Sequence, residues 1–125
     1  MRMPPMAVPL LAAGVTILGL ALPSPAAAHA VLVASQPAAH STVAGPDVDV
    51  VLHFNSRIDA ARSRLSITPA SGKPVPLVAG PGQGSEELVA HAQSLPPGQC
   101  TLTYEVLSID GHIARGILPF TVAGR

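Results

Sequence analysis

Tryptophan is absent from this sequence, and the aromatic residues amount to Phe54, Tyr104 and Phe120. Any core the chain buries is therefore mainly aliphatic. Cysteine occurs once, at Cys100, which excludes an intramolecular disulfide. Cys100 lies in an apolar, alternating run and reads as a buried structural thiol rather than a metal-binding thiolate, which nothing nearby in the sequence supports. Charge is scarce and balanced, with seven basic and seven acidic residues in 125. That balance leaves no electrostatic footprint for nucleic acid or for an anionic membrane surface. Only one long apolar run is present, and it is confined to the N-terminus.

That run explains the first part of the chain. Arg2 is the only charge before Asp47, Ala7 to Leu22 is almost wholly apolar, Pro23-Ser24-Pro25 interrupts it, and Ala26-Ala27-Ala28 supplies small residues at the positions a signal peptidase reads. The alternative is an uncleaved anchor, but the run is shorter than the roughly 20 apolar residues a spanning helix needs. Residues 1–28 are thus expected to be a signal peptide and residues 29–125 one soluble, extracytoplasmic domain beginning at His29. Losing the leader removes Arg2, leaving six basic side chains against seven acidic ones, and also removes Met1, Met3 and Met6. The mature chain then contains no thioether, the soft donor that Cu(I) favours.

Prolines and glycines punctuate the remainder, and no long helical periodicity survives between them. Asp47 to Phe54 alternates, with Val48, Val50, Leu52 and Phe54 on one face. Gln99 to Leu107 does the same with Cys100, Leu102, Tyr104 and Val106. Shorter strands are expected at Ala30–Ala34, Arg64–Thr68, Val75–Ala79, Glu87–Ala92 and Ile117–Val122, with a further return to the sheet over 40–44. Asn55 to Arg62 reads as a loop or a short helical turn, and Gly80 to Gly84 as a flexible loop. About seven strands in a domain of this size predict an all-β, immunoglobulin-like sandwich.

The chemistry concentrates in Ser108-Ile109-Asp110-Gly111-His112. Asp110 and His112 are two apart, which in an extended segment sends both side chains to one side, and Gly111 leaves room for a close ligand. Asp-x-His alone is a weak signal. His29 strengthens it. A histidine at the first mature position offers its α-amine and Nδ1 together, and the amine, with a reference pKa of about 8, can lose its proton to a metal near neutrality. With His112 and Asp110 the set is three nitrogens and one oxygen, suited to Cu(II) in a tetragonal array; Zn(II) could use the same donors tetrahedrally. The bland alternative is a frayed terminus at His29 and an ordinary loop ion pair at Asp110–His112. His40, His53 and His91 read as solvated surface residues, with His53 beside Asp49 on its strand; His40 and His53 would make a second metal site only if they met. Glu105 is a candidate to anchor the outer nitrogen of His112 or His29.

The segments His29-Ala-Val-Leu32, Ser35-Gln-Pro-Ala38, Leu95-Pro-Pro-Gly98, Tyr104-Glu-Val-Leu-Ser-Ile-Asp-Gly-His112 and Gly116-Ile-Leu-Pro-Phe-Thr-Val122 together resemble the CopC family of periplasmic copper-binding proteins, across essentially all of the mature chain. The resemblance implies a CopC-like β-sandwich, with His29, Asp110 and His112 as ligands of one Cu(II) per chain. It further implies a monomeric copper buffer or carrier in copper homeostasis or resistance, and a CopD-type inner-membrane protein as partner. Without methionines the chain is similar to the Cu(II)-only branch. The family tends to have an aromatic residue where Cys100 sits and a tryptophan where Tyr104 sits. Two other functions compete. A copper-dependent oxidase with an N-terminal histidine brace would need a larger scaffold, an aromatic substrate platform and an open metal position. A metal-free extracytoplasmic interaction domain would take up no copper.

Overall fold

Period-two alternation builds the molecule. In the computed structural model, which describes residues 2–5 and 30–124, the described residues form nine strands. They are β1 (Leu32–Gln36), β2 (Thr42–Val43), β3 (Val48–Phe54), β4 (Ile58–Pro69), β5 (Val75–Leu77), β6 (Gly80–Pro81), β7 (Glu87–Ala92), β8 (Gly98–Ser108) and β9 (Ile113–Val122). A four-stranded sheet in the order β1-β3-β7-β6 packs against a five-stranded sheet in the order β2-β9-β8-β4-β5. Every pairing is antiparallel except β2 with β9. This is the expected immunoglobulin-like sandwich; β2 and β6, two residues each, account for its excess over seven strands.

Val50, Leu52 and Phe54 of β3 are wholly buried and Val48 nearly so, while Asp49 points outward. They meet Cys100, Leu102 and Val106 of β8, Leu118, Phe120 and Val122 of β9, and Leu65 and Ile67 of β4, all within one core. Fully burying a side chain of this size stabilises by about 1.5–3 kcal/mol, so the inward faces of a few alternating strands fix the sandwich. Tyr104 joins the sheets: its ring meets that of Phe54 edge-on, with centroids 5.7 Å apart at 71°. The same ring covers Gly116, its partner across the strand pair, where a β-carbon would overlap it.

Several segments depart from the sequence expectation; β9 begins at Ile113, four residues before the expected Ile117, and β5 ends at Leu77 and not Ala79. The first strand spans Leu32–Gln36, two residues later than expected, because its start is held by side-chain bonding described below. Residues 58–62 are strand rather than loop: β4 begins at Ile58, opposite Ser108, and accommodates a register shift between Asp59 and Arg64. That irregularity hides the alternation by which the strand would be recognised. Gly80–Pro81 pairs with Val89 and Leu88 as a short edge strand. β5 lies at a sheet edge, as its flanking prolines suggested. Among the described residues, no helix is long and apolar enough to cross a membrane. Residues 6–29, and with them His29 and most of the expected leader, lie outside the described residues.

Candidate metal centre

β8 and β9 run in unbroken register from Gly98↔Val122 to Leu107↔Ile113. The hairpin closes with Ser108 N–H donating to the His112 carbonyl at 2.8 Å and Gly111 N–H donating to the Ser108 carbonyl at 2.9 Å. Residues 109–111 thus form a three-residue connection, whose last residue must be left-handed. Gly111 has φ +94°, and nothing lies within 4 Å of where its β-carbon would be. Glycine is required here by the backbone, while the open space beside it agrees with the room expected for a ligand. An ordinary L residue would cost about 1–2 kcal/mol in this conformation.

Asp110 and His112 therefore sit in a turn and not in the extended segment from which their shared side was inferred. They converge nonetheless: His112 Nδ1 lies 3.2 Å from Asp110 Oδ2. What orients the carboxylate is Ser108, which is 2% exposed. Its hydroxyl donates to Asp110 Oδ1 and lies 3.0 Å from the His112 carbonyl. The His112 N–H also points at Oδ1, at 3.4 Å. The Ser108 hydrogen bond is the main cause holding the Asp110 carboxyl below the ordinary carboxylate range; partial desolvation opposes it, and the His112 N–H and imidazole add to it. A carboxylate that keeps its charge, fixed through one oxygen and facing an imidazole with the other, has the chemistry to offer two donors to a cation. With side chains 34% and 55% exposed, Asp110 and His112 are within reach of an ion.

The start of the described domain reaches the same end of the sandwich. Ala30 is buried in the core, at 4% exposure. Val31 is held twice by Asn55: its N–H donates to Asn55 Oδ1 at 2.8 Å, and its carbonyl accepts from Asn55 N–H at 2.9 Å. Two residues further on, the Arg57 carbonyl accepts from Ile109 N–H at 3.1 Å. The β3–β4 corner, residues 55–57, is thus a shared footing for residue 31 and for the turn carrying Asp110 and His112.

Sequence reasoning gave no role to Ser108 or Asn55. Serine two residues before aspartate is a local hydrogen-bonding pattern and could have been read; Asn55 has its partner 24 residues away and carried no such signal. Glu105, a candidate anchor for a metal-bound imidazole, is engaged across the strand pair by Arg115 at 3.3 Å. Asp49 takes His91 as its partner, at 2.6 Å, rather than His53 on its own strand. His53 lies 3.8 Å from Glu86. His40, with φ 62°, donates its N–H to the Pro119 carbonyl. Cys100 is buried, and desolvation pushes its thiol pKa up, so it stays a protonated core side chain. Among the described residues, no three His, Cys, Asp or Glu side chains converge as a metal-binding group.

Comparison with known proteins assigns this immunoglobulin-like sandwich to one class. Residues 32–123 match the CopC domain, and the chain belongs to the CopC domain family. It is similar to CopC from Methylosinus trichosporium OB3b, with 36% identity and a TM-score of 0.70 over 76% of this chain and 94% of that one. It is also similar to PcoC, a methionine-rich copper resistance protein from Escherichia coli, with 31% identity and a TM-score of 0.61 over 75% and 98% of the two chains. Among curated relatives, protein YobA of Escherichia coli K12 is 30% identical over 100 residues, 76% of this chain and 79% of its own length.

Proposed function

We propose that the mature chain begins at His29 and acts in the periplasm as a Cu(II)-binding protein, a buffer or carrier of the ion and not an enzyme. One Cu(II) is held by the α-amine and Nδ1 of His29, the imidazole of His112 and Asp110 Oδ2. Asp110 Oδ1 remains with Ser108. Nitrogen and oxygen donors of this kind favour Cu(II) over the other divalent first-row ions, Zn(II) included. The family supports the metal, since a similar protein is a copper resistance protein. The absence of methionine after residue 6 argues against a thioether Cu(I) site.

The observation that carries this reading is the shared corner: Val31 on Asn55 and Ile109 on Arg57. A terminus at His29 is two residues from an anchored position, and consecutive Cα atoms are about 3.8 Å apart. In a chain that begins at His29 the amine would be tethered within two residues of that corner, and this supports the reading. Transfer of the ion to a CopD-type inner-membrane protein is the expected fate of the bound copper.

The test is a competition titration of Cu(II) with the secreted mature protein and with a variant carrying one extra residue before His29. The extension abolishes the amine–imidazole chelate. Affinity is expected to fall by more than the roughly 10–100-fold that follows loss of an outer-sphere partner. Equal affinity in the two proteins would remove the amine from the site.

A further inference from the structure

Among the described residues eight large apolar side chains are exposed; Met3, Val75 and Val78 lie outside the region of the Asp110 turn, β1 and β9, and the other five lie within it. Val31 (51% exposed) lies just before β1 and Val33 (56%) within it, Ile109 (68%) lies in the Asp110 turn, and Ile113 (47%) and Ile117 (71%) lie in the first half of β9. Two of them flank the ligand-bearing residues directly: Ile109 precedes Asp110 and Ile113 follows His112. Val31 stands on the corner that also supports the turn. Val33 and Ile117 both line a groove of about 250 Å³ between β1 and β9. β2 reaches only Thr121 and Val122 of β9, so Ile113–Leu118 has a paired neighbour on one side alone. The nearby charge of Arg115 is engaged by Glu105.

We infer that this apolar collar is the surface on which a copper-accepting protein docks, through an uncharged, apolar contact face of its own. The inference rests on the Cu(II) reading above and adds the chemistry of the acceptor. To remove an ion without releasing it to water, an acceptor must bring its donor atoms to about 2 Å from the metal. It must then cover the residues on either side of Asp110 and His112, and those residues are isoleucines. An acceptor face bearing charge there would be desolvated without a partner. Centres of protein interfaces are depleted of charge in just this way. A hand-over contact has to release its partner, which calls for a transient interface below about 1,200 Å² and not a permanent complex. A lipid bilayer is a poorer occupant, because the collar has neither the aromatic residues nor the lysines of surface-lying membrane segments.

The test uses the copper-loaded mature protein with Val33→Asp and Ile117→Asp. Both positions are more than half exposed and lie away from the proposed ligands, so native fold and Cu(II) affinity should persist, checked by circular dichroism and chelator competition. Copper transfer is timed to EDTA and to a CopD-type membrane protein in phosphatidylcholine liposomes. Transfer to the membrane protein should slow about tenfold or more in each variant, the effect of disrupting an apolar hot spot, with transfer to EDTA unchanged. Wild-type transfer rates in both variants would overturn the proposal. So would binding of the wild type to protein-free liposomes, or sedimentation as a dimer that Ile117→Asp dissociates, since each assigns the collar to another occupant. Failure of the wild type to take up Cu(II) would instead remove the reading beneath it, and the docking surface with it.

Discussion

Two histidine–carboxylate pairs in this domain invite comparison, and the closer one is the less suited to a metal. His91 and Asp49 meet at 2.6 Å, His112 and Asp110 at 3.2 Å. The first pair is a cross-strand contact on the outer face of the four-stranded sheet, with the Asp49 side chain 77% exposed. Only side-chain rotamers hold it, and a surface pair of that kind contributes about 0–1 kcal/mol. The second pair is built into the backbone. Gly111 sets the turn, a buried serine fixes one carboxylate oxygen, and the start of the domain is pinned to the same corner. Proximity of donors does not make a site; donors held before the ion arrives do, because ordering them is then not charged against binding.

The comparison can be broken by substitution. The largest effect is expected from His112→Ala, which removes a proposed ligand: one nitrogen should disappear from the Cu(II) electron paramagnetic resonance spectrum, whereas His91→Ala should leave the spectrum as it was. A spectrum that responds to His91 and ignores His112 would exchange the roles of the two pairs. Ser108→Ala comes next. It frees Asp110 Oδ1 and should weaken Cu(II) by about 10–100-fold, as loss of an orienting outer partner does. An unchanged affinity would show that the turn positions its carboxylate without the hydroxyl.

The smallest effect is on the stability of the metal-free fold. The Asp110 pKa is lowered in the folded state, so near and below the ordinary carboxylate value the unfolded chain binds more protons there. The corresponding stabilisation is complete above that range and is lost as pH falls through the lowered folded value. Acid unfolding should therefore show wild type more stable than Asp110→Asn near neutral pH, with the gap closing in the acidic limb. A gap that widens on acidification would contradict the direction of the shift.

How much of this was legible beforehand follows the range of the interactions. Val48–Phe54 and Gln99–Leu107 declare themselves by alternation, a property of neighbouring residues, and with them came the inward faces and the buried Cys100. Ile58–Ser63 did not, because its strand character comes from pairing with β8 some fifty residues away and is interrupted by a register shift. Asp110 and His112 were singled out as residue types at a spacing. The reason given for their convergence, an extended segment, is replaced by a three-residue turn, whose signal was Gly111. Asn55 was invisible, since nothing beside it foretells that it will hold Val31.

The sequence alone determined which side chains bury, that the chain is a β-sandwich of the CopC type, and which donor residues it possesses, since each depends on composition and local order. Only the tertiary structure decided that residue 31, the β3–β4 corner and the Asp-Gly-His turn share one end, that Ser108 holds the carboxylate, and that exposed isoleucines surround it. Those facts join residues distant along the chain, and cross-strand register, a property of the assembled sheets, is what brings them together.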